Sequence, residues 1–327
     1  MRVLVTGGSG FVGSHVVDQL CAEGHEPVIF DLAPSRYHAS DAVETVVGDL
    51  VDPRANRRAV QGCDAVIHLA AVADVSHVLA DPVRASRVNV HGTQMILEAA
   101  RRAEIGRVVY ASTIWVYGDA PTVGTLDEDA PLALPAHLYT ATKIAGEMYC
   151  RSYNSLYGAE HTILRFGIPF GPRSRPAAVV AAFVARARRG EPLTIAGHGR
   201  QTRQFVYVED LAGGVVAGLS AAAGRGVYNL VSDEQVSIGA IAATVRELVA
   251  EVPIIHGPER PADVHIGHVS GKRAELELGW SARTSFREGV RRYLDWLILT
   301  SGSPVTATDA SSMGRAATVL RQEPTEL

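Results

Sequence analysis

The sequence predicts an α/β fold in which a doubly wound parallel sheet is joined to a smaller mixed α/β domain. Three observations carry that expectation. Short apolar runs alternate with longer helical patterns through the first half of the chain. Runs such as Val28-Ile29-Phe30 and Val66-Ile67-His68-Leu69 are nearly continuous in apolar residues. The texture changes after about residue 166. Strand–helix alternation at this spacing gives a parallel sheet covered on both faces, and strands buried on both sides lose the inside–outside alternation of half-exposed ones. Taken in order, strands are expected over 2–5, 26–31, 45–47, 65–69, 107–111 and 161–165, with helices over 13–23, 82–103 and 139–157. Pro and Gly then become frequent through 166–176. Beyond them lie helical patterns at 177–189 and 210–222 and strand-like runs at 193–195, 204–208 and 227–230. Arg186, Arg188 and Arg189 read as one solvated helix face before a Gly190 stop. The expected division is 1–166 for the sheet domain, with some later segments returning to it, and 167–298 for the smaller domain. Residues 299–327, rich in Ser, Thr, Ala and Pro and without periodicity, read as a mobile tail.

The 327 residues suffice for one large or two moderate domains, and 47% hydrophobic against 20% charged residues is ordinary globular composition. A net charge of −4 disfavours a general nucleic-acid binder. Cys21, Cys63 and Cys150 are too few and too widely spaced for a disulfide framework or a zinc pattern, and reduced thiols are expected. The twelve histidines show neither HxH nor HExxH spacing, so no metal is expected. The N-terminus reaches Gly7 too soon for a signal-peptide core. The longest weakly polar stretch, 211–223, is shorter than the ~18 apolar residues a spanning helix needs. The expectation is therefore a cytoplasmic protein with no membrane segment.

The segment Val3-Leu4-Val5-Thr6-Gly7-Gly8-Ser9-Gly10-Phe11-Val12-Gly13 runs from a strand into a helix. Glycines there permit a tight turn and let the backbone approach a pyrophosphate, while the helix N-terminus offers N–H groups and a favourable dipole. Asp31 ends the second strand 18 residues past Gly13, near the position of the acid that binds an adenine ribose in a Rossmann-type dinucleotide site. A carboxylate there accepts hydrogen bonds from both ribose hydroxyls and repels a 2′-phosphate, which favours NAD over NADP. Arg36 is the opposing feature, since a nearby arginine accommodates that phosphate.

Tyr139 and Lys143 stand four apart at the start of a helical pattern, hence on one face. A tyrosine hydroxyl titrates near ~10 and is a poor base at neutral pH. A neighbouring ammonium is expected to stabilise the phenolate and lower that value, making the pair a usable acid/base.

The order of glycine turn, ribose acid, Ser/Thr-rich strand end and YxxxK resembles the extended short-chain dehydrogenase/reductase family, in its NAD-dependent nucleotide-sugar epimerase/dehydratase branch, whose members include UDP-glucose 4-epimerases. The resemblance covers roughly residues 1–295. It is carried by TGGSGFVGSH (6–15), GDL (48–50), HLAA (68–71), NVHGT (89–93), VYASTIWVYG (109–118), YTATK (139–143), LRFGIPFGP (164–172), RQFVYVEDLA (203–212) and YNLVS (228–232). It implies that Gly7, Gly10, Phe11, Val12 and Gly13 meet the pyrophosphate. Asp31 and Leu32 would lie at the adenosine ribose, Asp49 and Leu50 at the adenine, and Leu69, Ala70 and Ala71 along the cofactor path. Tyr139 would be the base, and Lys143 would also hold the nicotinamide ribose. Thr113, five residues before Gly118, would hydrogen-bond the reacting sugar hydroxyl. Asn89 would brace the helix beside the site or serve the fold alone.

The resemblance also bears on the reaction. Dehydratases of this branch carry Asp-Glu directly after the Thr, and decarboxylases a Glu two residues after it. Here those positions are Ile114 and Trp115, which neither take nor give a proton. What remains implied is a 4-epimerase: Tyr139 removes the proton of the sugar 4-hydroxyl as C4 gives its hydride to NAD, and the 4-keto sugar takes the hydride back on its other face. A net reductase or dehydrogenase, or a non-catalytic NAD-binding sensor, stays open. Arg203 in RQFVYV and Arg260 in Arg260-Pro261-Ala262-Asp263 would grip a sugar-nucleotide diphosphate, most simply that of a UDP-sugar, with their forked donors. Ile168 stands where the family usually has Asn against that diphosphate, so a contact there is lost or replaced. Trp115 would add bulk or stacking surface near the sugar. Asp210 reads as a helix N-cap. Family dimers pair the helices near 82–103 and 139 onward. Ile96 and Met148, read as outer positions, permit a homodimer.

Overall fold

Seven parallel strands form the main sheet, in the spatial order Val227–Leu230, Glu160–Phe166, Arg107–Thr113, Ala65–His68, Arg2–Thr6, Glu26–Asp31 and Glu44–Val47. The computed structural model describes residues 1–118, 124–135, 137–259 and 266–301. The first three strands in sequence run outward to one edge, and the fourth returns to the other side of the first. The reversal leaves a crevice at the carboxyl ends of Arg2–Thr6 and Ala65–His68, the place where an open α/β sheet takes its ligand. Val3, Leu4, Val5, Val66 and Ile67 are fully buried, because helices cover both faces. Val16, Val17 and Leu20 of helix Phe11–Ala22 and Leu211 and Val215 of helix Val208–Ala217 pack on one face. Ile96, Leu97 and Ala100 of helix Thr93–Arg102 and Cys150 of helix Leu138–Tyr157 pack on the other. This is the expected Rossmann-type doubly wound sheet, and each expected strand is present to within two residues of its expected ends.

Three expectations are corrected. The helix expected over 82–103 is three segments: Pro82–Ser86, a π-helical turn Arg87–Gly92, and Thr93–Arg102. The wide turn seats Gly92 against Leu50, where a Cβ would stand 2.7 Å from Leu50 Cδ2, and such turns recur at functional sites. Asp210 does not cap its helix. That helix starts at Val208, with Tyr207 at the cap, and the Asp210 carboxylate accepts the N–H groups of Arg283 and Thr284 at 2.9 and 2.7 Å. Ile96 is fully buried rather than outward, whereas Met148 is 42% exposed.

The remaining elements form a smaller mixed layer. Strand Ile168–Phe170 pairs parallel with Thr202–Tyr207, which pairs antiparallel with Gln235–Ser237. Leu193–Ala196 pairs parallel with Ile254–Gly257. Phe183 and Val184 of helix Val179–Arg188 join Ile241 and Val245 of helix Ile238–Leu248 and Val290 of helix Phe286–Ser301 in one apolar cluster with these strands. Ser237 Oγ caps Ile238–Leu248 by accepting the Ala240 N–H at 3.0 Å. Val227–Leu230 leaves this layer to become the edge strand of the main sheet. Residues 299–301, expected in the tail, are the last turn of a helix. The rest of the tail lies outside the described residues, as does Arg260.

Candidate active site

The glycine turn is built by close approach. Gly7, with φ +74°, lies against the backbone of Ala70, where a Cβ would stand 2.9 Å from the Ala70 nitrogen. A Cβ on Gly13 would lie 2.1 Å from the Gly7 carbonyl oxygen, so the helix can pack on the turn only with glycine there. Helix Phe11–Ala22 begins at Gly10 without a side-chain cap, and its first N–H groups at Phe11 and Val12 suit a phosphate. Asp31 Oδ2 accepts the Ser9 N–H at 3.0 Å and Oδ1 the Leu32 N–H at 2.7 Å. The carboxylate is thereby fixed beside the turn, and each oxygen keeps a lone pair for a ribose hydroxyl. Burial raises its pKa while those two amides pull it down. This donor and acceptor set fits a dinucleotide. Leu32 is 62% exposed beside it, and Arg36 lies over the Tyr37 ring at 5.5 Å. Asp49 turns its carboxylate onto the Val51 N–H at 3.1 Å, while Leu50 is buried against the π-helical turn.

A directional chain of hydrogen bonds sets the other bank of the crevice. Thr93 Oγ1 donates to the Asn89 carbonyl at 2.6 Å, so towards His68 Nε2, 3.0 Å away, it acts as acceptor. His68 therefore carries its proton on Nε2, and its Nδ1 accepts from Thr6 Oγ1 at 2.6 Å. Thr6 Oγ1 in turn accepts the Ala70 N–H at 3.2 Å. Burial pulls the His68 pKa down to about 3, with Lys143 adding to it, so the ring is neutral as the chain requires. The chain ends on Ala70, within the stretch Leu69, Ala70 and Ala71 expected to line the cofactor path. Asn89 completes it: Oδ1 accepts the Val72 N–H at 2.7 Å, and Nδ2 donates to the Val72 carbonyl and to Thr142 Oγ1 at 3.1 and 3.0 Å. Asn89 thus joins the loop after Ala65–His68 to the helix that carries Tyr139, the first of the two roles left open for it.

Thr113 ends its strand, and its Oγ1 accepts the Trp115 N–H at 3.3 Å. Lys143 is buried in helix Leu138–Tyr157 and donates from Nζ to the Ala111 carbonyl at 2.8 Å. Its ammonium lies 5.1 Å from the Tyr110 ring centroid and 6.0 Å from that of Tyr139. The structure thus gathers Thr113, Trp115, Tyr139 and Lys143 at one strand end. The expected lowering of the Tyr139 pKa is not met. Burial pushes the phenol up to about 12, and the opposing charge is that of Arg175. Lys143 itself is pulled down to about 8 by burial, against Cys150 and Glu147, which raise it.

Towards the smaller layer, Arg203 Nη1 donates to the Thr202 carbonyl at 2.7 Å. Arg203 shares a cavity of about 10 Å³ with Ile114, Gln204, Gln235 and Ile266, which places it beside the residue that directly follows Thr113. Ile168 instead pairs with Phe205 and packs, half-buried, against the small apolar cluster.

Several residues that the sequence reading passed over hold this site. Arg165 and Glu147, 1% and 0% exposed, form a buried ion pair through Nε–Oε1 at 3.0 Å and Nη2–Oε2 at 2.8 Å. Ser112 Oγ donates to the same carboxylate at 2.6 Å, and Tyr117 takes the remaining Arg165 Nη1 at 2.9 Å. Glu147 thus ties the helix of Tyr139 to strand Glu160–Phe166 through Arg165 and to the strand of Thr113 through Ser112. Arg175 bridges to Asp74 at 2.9 Å. His137 caps the Tyr139 helix. Histidine is outside the usual set of capping residues, so the sequence carried no cap signal at this position.

The chain matches the NAD dependent epimerase/dehydratase family over residues 3–230. It is 34% identical to the UDP-glucose 4-epimerase of Mycolicibacterium smegmatis, covering 90% of this chain and 98% of that protein. It is 32% identical to UDP-glucuronic acid decarboxylase 1 of Danio rerio, covering 90% and 72% respectively. Among solved structures it is similar to the Thermus thermophilus UDP-glucose 4-epimerase complex with NAD, with TM-score 0.84 and 33% identity over 90% of this chain and 98% of that one. The glycine turn, Asp31 and the Tyr–Lys helix therefore belong to a member of the NAD dependent epimerase/dehydratase family, whose cofactor is NAD.

Proposed function

We propose that the protein is a nucleotide-sugar 4-epimerase acting on a UDP-sugar. The observation that carries this reading is the strand end itself. Thr113, Tyr139 and Lys143 meet there, and the next two side chains, Ile114 and Trp115, hold no acid or base. NAD, when bound by the turn at 7–13 and by Asp31, supplies the hydride acceptor. The chain's own residues handle the proton and the orientation. Thr113 presents its hydroxyl to the sugar hydroxyl, and Tyr139 takes that proton on its phenolic oxygen and returns it. Because burial favours the neutral phenol, Tyr139 depends on the positive charge of Lys143 and Arg175 to work as a base. Arg203 supports a diphosphate grip beside the site. The exposed Met148 and Leu156 on helix Leu138–Tyr157 support a homodimer through that face, which size-exclusion chromatography with light scattering reads directly.

The test is to purify the protein, identify the released nucleotide by mass spectrometry, and incubate the enzyme with UDP-glucose, UDP-glucuronate and their N-acetylated relatives without added NAD. The expected result is co-purifying NAD and a C4 epimer from at least one sugar, with Tyr139→Phe inactive. Stoichiometric build-up of reduced nicotinamide would overturn it in favour of a dehydrogenase.

A further inference from the structure

Helix Leu138–Tyr157 starts in an unusual way. N-caps are normally Ser, Thr, Asp or Asn, and here the cap is His137, with extended φ −149° and ψ 159°. Its Nδ1 accepts the Thr140 N–H at 3.3 Å and lies 3.0 Å from Thr140 Oγ1. Accepting the amide leaves Nδ1 without a proton and fixes the plane of the ring. Burial also lowers the His137 pKa, which keeps the ring neutral. That fixed ring stands 6.2 Å from the Tyr139 ring at 36°, and 4.9 Å from Trp115 at 71°. Trp115 closes the triangle, edge-on to Tyr139 at 6.0 Å and 87°. Trp115 comes from the turn directly after Thr113, so the triangle ties the phenol to the strand end that carries the hydroxyl partner.

Tyr139 is the second residue of the helix, in the turn where helices fray. A cap alone would secure the backbone there but leave the phenol free about its two side-chain torsions. We propose that His137 is a positioning residue for Tyr139: one imidazole both caps the helix and, with Trp115, walls the phenol ring so that its oxygen is held at a fixed depth beside Thr113. This rests on Tyr139 being the acid/base of the proposed reaction. Two substitutions separate the two tasks. His137→Ser is the better cap and lacks the ring, whereas His137→Phe keeps a ring and lacks the acceptor.

The first measurement needs no substrate. Tyrosine labelled with ¹³C at Cζ is followed by NMR against pH, with Tyr139 assigned by loss of its signal in Tyr139→Phe and the fold checked by circular dichroism. Lys143 and Arg175, the cations that face Tyr139, are present in every arm. In the wild type and His137→Phe the phenol stays protonated across the alkaline range in which the fold persists. In His137→Ser water reaches it, and it ionises about one unit or more earlier. The second measurement is turnover on whichever nucleotide sugar is active. His137→Ser is expected to lose ~10- to 100-fold in kcat, the scale of a misplaced reacting group, with KM within about twofold and no loss of melting temperature. Equal Tyr139 titration in the wild type and both variants would overturn the proposal whatever the reaction is. So would a His137→Ser enzyme of full kcat. Wild-type inactivity on every nucleotide sugar, with the titrations ordered as stated, would sink the epimerase reading and leave the positioning role standing.

Discussion

Glu147→Gln is the most demanding test of how the site is held. In the folded chain Glu147 and Arg165 are at most 1% exposed, and the carboxylate takes two hydrogen bonds from the guanidinium and one from Ser112. Gln keeps the shape but turns one acceptor into a donor facing a donor. The Arg165 charge is then left inside the protein without an anion, with one amide oxygen, Tyr117 and the Glu128 carbonyl as its partners. Breaking a buried pair from one side costs about 3–5 kcal/mol. At about 2 °C per kcal/mol for a large domain, the melting temperature should fall by about 6–10 °C. Glu147 also raises the Lys143 pKa, and Ser112 adjoins Thr113, so turnover should fall as well. Replacing both partners at once, Glu147→Leu with Arg165→Met, should cost less than the two single changes summed, by about 1–3 kcal/mol. Calorimetric melting of the four proteins reads this cycle. A Glu147→Gln protein within about 1 kcal/mol of wild type would refute the claim that Glu147, through Arg165 and Ser112, locks the Tyr139 helix to strands Glu160–Phe166 and Arg107–Thr113.

Three further outcomes are expected. Gly13→Ala drives a Cβ into the Gly7 carbonyl, which stands 2.1 Å away and is backbone; the turn must open, with loss of co-purifying NAD and about 1–3 kcal/mol of stability, read by nucleotide assay and urea titration. Lys143, ordinarily at 10.5 and held at about 8 by burial, is charged below about 8, so kcat/KM should decline as pH rises past it. Between about 8 and 10.5 the unfolded chain binds more protons at this site, so its contribution to stability rises with pH over the same window; Lys143→Met should remove that rise from urea midpoints. His68, at about 3 when folded and 6.5 when unfolded, makes the protein lose stability as pH falls through that interval, because the unfolded chain takes the proton first. His68→Gln, which can keep both threonine contacts, should flatten the acid side of the stability profile, and an unchanged slope would count against a buried neutral ring.

What could be read in advance follows from the range of the interactions. Strands such as Ala65–His68 declare themselves because burial on both faces removes polar residues from a local run, and the glycine turn declares itself because close approach demands glycine at fixed spacing. The π-helical turn at Arg87–Gly92 was hidden inside an unbroken helical pattern. It is set by Leu50 filling the space at Gly92 and by Asn89 reaching Val72 and Thr142, all distant in sequence. Asp210 looks like a cap in sequence, but its partners are amides more than seventy residues on. Helices Ile238–Leu248 and Phe286–Ser301 were unassigned because their apolar faces answer only to the small layer they cover. For Tyr139 the neighbouring ammonium was legible from the four-residue spacing. The burial that outweighs it was not, since it depends on Trp115 and His137 closing around the ring.

The same closure bears on the choice of reaction. Dehydration or decarboxylation after oxidation asks for a second proton donor or acceptor near Tyr139. Ile114 is 3% exposed and has no such group; Trp115 has only an indole N–H, which donates but does not titrate. A further ionisable ring at this edge is His137, and its Nδ1 is engaged by the amide and hydroxyl of Thr140. Taking a proton there would set a donor against a donor at a helix N-terminus, where positive charge is unfavourable. Arg175 is held by Asp74 and, as a guanidinium, gives up no proton in this pH range. With these four side chains unable to take up and release a second proton, the strand end favours the proposed reading, in which Tyr139 removes one proton and restores it, over elimination.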